Sequence, residues 1–505
     1  MGPIDDTAFQ ARRQPDALAA VDLASGRRWT YAALDRAVGR CADLLRHRHG
    51  CALGDRVASL AKNRVELIVL HLACARAGLI YVPLNWRLSG PEIAALIADA
   101  EPRLIVGDAA MADLTPIDLT LDDLAQQTDG HGAMFAEAAD PERVSLILFT
   151  SGTSGTPKGV MLSERAQRQT AINFSLLGQV DAHSRILIDT PMFHIIGLIT
   201  SVRPIVMQGG VMLVSDGFEP IRTLARLSDP DLAVTHYFCV PQMADRIRAQ
   251  PGFDGASLGH LTALFTGGAP HPAPSIMAWL DAGVPVVDGF GMSEAGTVLG
   301  MALDPASIAA KAGAAGIPAP GIELRLVDAS ENDVRPGEPG ELLLRGPNLF
   351  SGYWRRPDEV ARAFTAEGWF RTGDIAVCDA DGYLTIVDRR KDMYISGGEN
   401  VYPAEIEAAL ADFPGLIETA IVGVPDARWG EVGVCAMSHA DADDTLAERV
   451  RTHLSGRLAG YKLPRHVVVV EALPRTGSGK VRKGDLRTLC LAMLEARDDA
   501  ASSVG

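Results

Sequence analysis

Apolar positions along the chain switch repeatedly between two periods. Residues 31–45 carry them at helical spacing, 55–60 form a short apolar run, 66–77 are helical again, and 78–83 return to a strand pattern. Residues 92–98 and 104–106 repeat the pair. Further runs at 185–188, 211–214 and 264–266 each meet a glycine or proline breaker before the next helical stretch. Strands alternating with helices predict a layered α/β fold with mostly parallel strands, whose ligands sit beyond the strands' carboxyl ends. After about Gly316 the pattern changes to short strands at 322–327, 340–345 and 382–387 separated by Asn, Asp, Gly and Pro, which predicts a small β-rich subdomain. A charge cluster at 388–392 follows. Beyond it, a Pro403-led helix to Leu410, strands at 419–424, 432–437 and 467–470, and a helix at 446–458 predict a separate α+β module. The expected division is an N-terminal domain at 1–388, a hinge at 389–391, a small mobile C-terminal domain at 392–495 and a loose tail at 496–505.

Composition narrows the partners. With 47% apolar and 22% charged residues the 505-residue chain is an ordinary folded protein. Its formal charge of −16 argues against nucleic acid or an anionic membrane as the main partner, so any anion must meet a local basic site. The seven cysteines lack CxxC or Cys/His ligand spacing, which fits small buried apolar residues in a reducing compartment rather than a zinc site. No apolar run is long enough to span a bilayer and the N-terminus lacks a signal segment, so a cytoplasmic location is expected. Oligomeric state is not legible.

Five stretches carry candidate chemistry. The apolar run 144–150 reads as a buried strand and leads into Ser151, Gly152, Thr153, Ser154, Gly155, Thr156, Pro157, Lys158 and Gly159, with a helix from near Ser163. Backbone N–H groups and hydroxyls of such a loop converge on an anion, and Lys158 adds a point charge. It is not a Walker A loop, because Lys158 is followed by Gly159 and not by Ser or Thr. The competing reading is a flexible surface loop. Asp288, Gly289, Phe290, Gly291, Met292, Ser293 and Glu294 follow a strand-like run and combine an aromatic plate, close-approach glycines, a hydroxyl and a carboxylate suited to Mg²⁺. Helix capping by Ser293 and Glu294 is the bland alternative. Asp374 ends the stretch 368–374 as a turn-placed carboxylate suited to a ribose diol, or as an Asx-turn. Residues 389–401 join the charge cluster to a glycine-rich loop, and 474–480 present Lys480 on a flexible turn.

In this order the stretches resemble the adenylate-forming superfamily: acyl-CoA synthetases, firefly-luciferase-like enzymes and peptide-synthetase adenylation domains. The resemblance spans nearly the whole chain and implies ATP, Mg²⁺, coenzyme A and a carboxylic acid as ligands. It implies that Ser151–Thr156 and Lys158 hold phosphates, and that Gly268, Ala269, Asp288, Gly289, Phe290, Gly291, Met292 and Ser293 surround the nucleotide. Phe290 stands in place of the usual tyrosine and Ser293 in place of threonine. Asp374 and Arg389 would hold the ribose, Thr153 and Glu294 the metal, and Lys480 the reacting carboxylate and α-phosphate, with His194, Ser293 and Glu294 completing the catalytic set. Lys391 falls on the hinge position. Gly397, Gly398, Trp429 and Arg465 match positions near CoA, although an aromatic turn and a solvated arginine read equally well for the last two.

The implied acyl pocket is lined by His194, Ile195, Ile196, Val240, Gly267, Gly268, Ala269, Gly289 and Gly291. No acid lies between His194 and Leu198 to grip an α-amino group. Gly291 stands where short-chain relatives place a tryptophan, and Gly289 where malonate-activating relatives place an arginine, which leaves Arg246 as a source of positive charge. An unpaired charge in such a slot is strongly disfavoured. The expectation is an AMP-forming acyl-CoA ligase for an apolar acid, with a medium- or long-chain fatty acid first and an aryl or cinnamoyl-type acid as the alternative. A nucleotide-binding regulator without turnover is the alternative of a different class. No carrier domain follows Lys480, so free CoA is the expected acceptor.

Overall fold

The computed structural model describes residues 5–135, 140–150, 157–389, 392–396, 399–426, 428–443, 445–455, 457–475 and 480–502. Two seven-stranded sheets organise the N-terminal part. The first runs Val286–Asp288, Ala263–Thr266, His236–Cys239, Arg185–Ile188, Val211–Val214, Leu18–Asp22 and Arg28–Thr30, and every pair but the last is parallel. Four of these strands end at one edge, where Gly289, Gly267, Val240 and Asp189 follow them. That edge is where a parallel α/β sheet presents its ligand site.

The second sheet orders Gly352–Tyr353, Lys158–Ser163, Val144–Thr150, Ile80–Pro83, Arg56–Leu60, Leu104–Gly107 and Leu119–Thr120. Lys158–Ser163 pairs antiparallel with Val144–Thr150, a strand that the apolar pattern did not signal. The stretch 151–156 therefore connects two antiparallel strands and not a strand and a helix. The helix Glu164–Leu177 then starts where expected, its Ala166 N–H bonded to Ser163 Oγ at 3.2 Å.

The β-rich region comprises an antiparallel four-stranded sheet, Glu323–Val327, Gly340–Arg345, Phe370–Cys378 and Leu384–Arg389, and a small sheet of Phe290–Met292, Gly296–Gly300 and Ile317–Pro318. The C-terminal part has its own five-stranded sheet built around the pair Leu416–Asp426 and Gly430–His439. Its buried apolar residues, from Tyr394 onward, form two clusters distinct from the main core, whose last member is Leu384. The helix Lys483–Ser502 closes the described chain, so the stretch read as a loose tail from residue 496 is helical through Ser502. All seven cysteines are free and six are buried, as expected of small apolar residues. Among the described residues no helix is long and apolar enough to cross a membrane.

Candidate active site

A cleft of about 2680 Å³ opens at the carboxyl edge of the first sheet and is lined from both parts of the chain. His194, Gly268, Phe290, Glu294, Asp374 and Lys480 all face it. Residues more than 200 positions apart in sequence thus share one cavity. The C-terminal part brings Lys480 into the cleft: a methyl group added at Gly268 would lie 4.0 Å from Lys480 Cε and 3.8 Å from both Ile196 Cδ1 and Val240 Cγ1. Gly268 has φ +82°, a left-handed conformation that costs other residues energy. The lysine stem therefore rests beside the expected acyl slot.

At the nucleotide end, Glu294 is buried and accepts the Tyr353 hydroxyl proton at 3.0 Å. Lys158 Nζ lies 2.6 Å from Glu359 Oε2 and 5.3 Å from the Tyr353 ring centre. The Lys158 ammonium holds the Glu359 carboxyl below its usual range. The cation expected to meet phosphate thus sits on a carboxylate. Ser151, Gly152, Thr153, Ser154, Gly155 and Thr156 lie outside the described residues, as do Lys391, Gly397 and Gly398. Asp374 is 3% exposed and lies within the strand Phe370–Cys378, not on a free turn; its N–H donates to Thr372 Oγ1 at 3.0 Å. Its strand partner is Arg389, whose side chain is outside the described set. Glu294 alone offers one buried carboxylate, the usual protein share of a Mg²⁺ site completed by phosphate oxygens and water. No group of three or more His, Cys, Asp and Glu side chains converges among the described residues.

Asp288 sits between the two ends. Its carboxylate accepts from Thr266 Oγ1 at 2.8 Å and from the His271 N–H at 3.1 Å. Burial raises its pKa to about 7, against the pull of those hydrogen bonds. His271 continues the chain of bonds to Ser275 at 3.1 Å, and Ser275 donates to Asp245 at 2.6 Å. The sequence pattern gave no sign of this network.

At the acyl end, His194 is partly buried, and burial, then Lys480 and Arg87, depress its pKa to about 3. It is a neutral ring at any working pH. Its Nε2 finds no hydrogen-bond partner among the described residues. Ile195, Ile196, Val240, Gly267, Ala269, Gly289 and Gly291 line the cleft. The lack of a side chain at Gly291 serves the backbone as well. A Cβ there would stand 2.4 Å from the Gly296 carbonyl oxygen, so the glycine is needed for the close approach of two strands. Gly289 is similar but less tight, with the Leu299 carbonyl oxygen at 3.0 Å.

Aromatic side chains absent from the expected pocket line it. Phe238 and Phe265 are register partners on adjacent parallel strands, with ring centres 6.3 Å apart. Phe174 stacks on Phe238 at 5.5 Å and meets Phe265 edge-on at 5.1 Å. A Cβ on Gly267 would touch the Phe238 ring at 3.3 Å, so the slot beside Gly267 has an aromatic wall. Arg87 was also missed, a cleft-lining cation whose pKa burial depresses. Arg246 lies over the Phe218 ring at 5.4 Å. Trp429 is 40% exposed and Arg465 Nε lies 3.9 Å from Asp426, the residue that accepts the Trp429 N–H. Both lie on one edge of the C-terminal sheet, outside the cleft lining.

The AMP-binding enzyme family profile matches residues 8–354, and the profile of the AMP-binding enzyme C-terminal domain matches 405–480. The chain belongs to the AMP-binding enzyme family. This AMP-binding enzyme is 39% identical to a feruloyl-CoA synthase of an Amycolatopsis species, over 95% of this chain and 97% of the relative. It is 38% identical to an indoleacetate–CoA ligase of Aromatoleum aromaticum, covering 91% and 93%. A long-chain-fatty-acid–CoA ligase of Mycobacterium tuberculosis is 34% identical, covering 95% and 96%. ATP-bound MatB from Rhodopseudomonas palustris superposes with a TM-score of 0.86 at 30% identity, over 96% of this chain and 98% of that one; apo MatB gives 0.78 at the same coverage. The o-succinylbenzoate CoA synthetase of Bacillus subtilis, in complex with its acyl-adenylate intermediate, gives 0.86 at 27% identity, covering 96% and 98%.

Proposed function

We propose that this AMP-binding enzyme is an AMP-forming acid–CoA ligase and that its acid is aryl. The observation that carries the reading is Lys480 beside Gly268, Ile196 and Val240, where a carboxylate in the apolar slot meets a nucleotide at its rim. In the first step a carboxylate oxygen attacks the α-phosphorus of ATP and pyrophosphate leaves. Negative charge gathers on the transferring phosphoryl group, and a fixed ammonium there stabilises the transition state more than the ground state. Glu294, with Thr153, would hold Mg²⁺, which would supply further charge neutralisation there. Asp374 and Arg389 bind the ribose, and the loop Ser151–Thr156 with Lys158 binds the phosphates once Glu359 gives way. In the second step the CoA thiol sulfur attacks the acyl carbon and AMP departs. His194, held neutral, borders that path without adding a second cation to repel Lys480.

The fatty-acid expectation gives way to the aryl one. The relatives named for feruloyl and indoleacetate substrates are more similar in sequence than the one named for long-chain fatty acids. The wall of Phe238, Phe174 and Phe265 supports the same reading, because a flat ring stacks on aromatic faces while a flexible chain loses rotational freedom on entry. Residues 1–388 would carry the nucleotide and acid, 392–495 would swing about 389–391, and Gly397 and Gly398 would reach the thiol path after the swing. The test is product identification. Purified enzyme with ATP, Mg²⁺, an aryl acid and CoA should yield AMP, pyrophosphate and aryl-CoA in equal amounts, and acyl-adenylate when CoA is withheld. ADP as product, or nucleotide binding without turnover, would overturn the reading.

A further inference from the structure

Lys480 reaches Gly268 only in an arrangement that something must hold, and a cluster of charges lies three residues further on. Lys483 opens the helix Lys483–Ser502, and its Nζ lies 3.0 Å from Glu407 Oε1 with the side chain 18% exposed. Glu407 is itself anchored, accepting the Ile421 N–H at 2.8 Å. Asp388 belongs to the other side of the hinge, in the strand Leu384–Arg389 that pairs with the strand bearing Asp374. Its Oδ2 accepts the Ala404 N–H at 2.9 Å, in the first turn of the helix Pro403–Ala409 that carries Glu407. Burial works against the Lys483 ammonium, but Glu407, Asp388 and Asp392 together outweigh it and raise its pKa above the usual lysine value. The Lys483–Glu407 ion pair and the Asp388–Ala404 hydrogen bond thus meet on one short helix, with their carboxylates on opposite sides of residues 389–391.

We propose that Lys483 and Asp388, joined through the helix Pro403–Ala409, form a latch that holds the C-terminal part in the adenylate-forming arrangement, which makes Lys483 a positioning residue for Lys480. A rotation about 389–391 that withdraws Lys480 must carry Ala404 and Lys483 away from Asp388. It breaks a hydrogen bond to a charged acceptor and separates opposite charges in a half-buried setting. The latch favours the first half-reaction and is released for the second. The likeness to MatB, higher for its ATP-bound than for its apo structure, agrees with this assignment of the arrangement.

The catalytic consequence rests on the ligase reading; the structural one rests on the contacts alone. Lys483→Ala, Lys483→Met, Lys483→Arg and Asp388→Asn are made in the full chain. Acid-dependent ATP–pyrophosphate exchange is measured beside thioester formation from supplied acyl-adenylate, with amide hydrogen exchange of residues 403–409. A coupling of this kind should lower the exchange kcat by roughly 5- to 150-fold in the Ala, Met and Asn variants, with the KM for acid nearly unchanged and the thioester step intact. Lys483→Arg should recover most of the loss, and 403–409 should exchange faster in the charge-removing variants. Lys483→Ala combined with Asp388→Asn should be no slower than the worse single variant, as expected for two ends of one interaction. Equal loss of both half-reactions, additive effects, or unchanged amide exchange would overturn the latch. If Lys483→Ala does not fold, Lys483→Met and Asp388→Asn decide. A wild-type enzyme without acid-dependent exchange would overturn the ligase reading, and the amide-exchange arm would still decide the latch.

Discussion

At the nucleotide end of the cleft, functional side chains come from short contiguous stretches and already have polar partners, as Glu294 has Tyr353 and Lys158 has Glu359. At the acyl end, Phe174, Phe238 and Phe265 come from a helix and two strands and meet only through packing. The difference follows from the chemistry each end performs. Phosphate and metal recognition needs donors and charges at fixed spacing, which one loop supplies. The shape of an apolar slot needs only volume and surface, which any combination of elements can supply. Chemistry is therefore written locally, and substrate choice is spread over the fold.

The largest effect should come from the one residue that joins both ends. Lys480→Ala should lower acid-dependent ATP–pyrophosphate exchange by about 10²–10³-fold, as loss of a transition-state charge partner does, and leave thioester formation from supplied acyl-adenylate near wild type. Similar losses in both half-reactions would remove Lys480 from the first step. Phe238→Ala tests the dispersed end alone. Losing one wall of the slot should cost an aryl acid about tenfold in kcat/KM relative to an alkyl acid of equal length, within the range for pocket contacts. KM for ATP should not move. A change in ATP affinity as large as the change in acid preference would erase the distinction between the two ends.

Asp288 lies between them and gives a smaller, pH-dependent effect. Its folded pKa of about 7 stands above the usual 3.8, so the native state binds this proton more tightly than the unfolded chain. The resulting stability is fully present below about pH 4 and is lost as pH rises to about 7. Melting temperatures of wild type measured against Asp288→Asn should therefore show a difference that declines over that window and is flat above it. A flat difference throughout would mean that the carboxyl titrates normally. The smallest effect is expected from Glu359→Gln. Freeing Lys158 from its carboxylate should tighten ATP binding roughly two- to fivefold, since part-buried ion pairs of this kind are worth about 1 kcal/mol or less. Weaker binding would show that Glu359 assists the phosphates instead of competing with them.

The contrast also explains what could be read in advance. Strands such as Arg185–Ile188 and Val211–Val214 fall where the apolar runs placed them, because buried parallel strands are continuous apolar runs bounded by breakers. Lys158–Ser163 was hidden because its first residues, Lys158 and Gly159, belong equally to a phosphate loop. Glu294, Asp374 and Lys480 were legible as motif residues, and the cleft brings them together with His194. Phe238 and Phe265 were not, since nothing in either strand says that the other is its register partner. The parallel pairing His236 to Ala263 onward sets both rings on one face, and only a known register could have revealed it. The close approach at Gly291 was hidden for the same reason. Its lack of a side chain serves the approach of Gly296, a residue five positions on whose position depends on the hairpin.

The most direct measurement compares kcat/KM of the wild-type enzyme for an aryl acid, such as a phenylpropenoic or arylacetic acid, with that for saturated alkanoic acids of matched and greater length. Thioester formation is followed at saturating ATP and CoA. An aromatic-walled slot predicts that the aryl acid is favoured by about tenfold or more over every alkanoic acid, a difference of roughly 1.4 kcal/mol or more in transition-state binding. A rise in kcat/KM with alkyl chain length that overtakes the aryl acid would contradict the account and return the enzyme to the fatty-acid ligases.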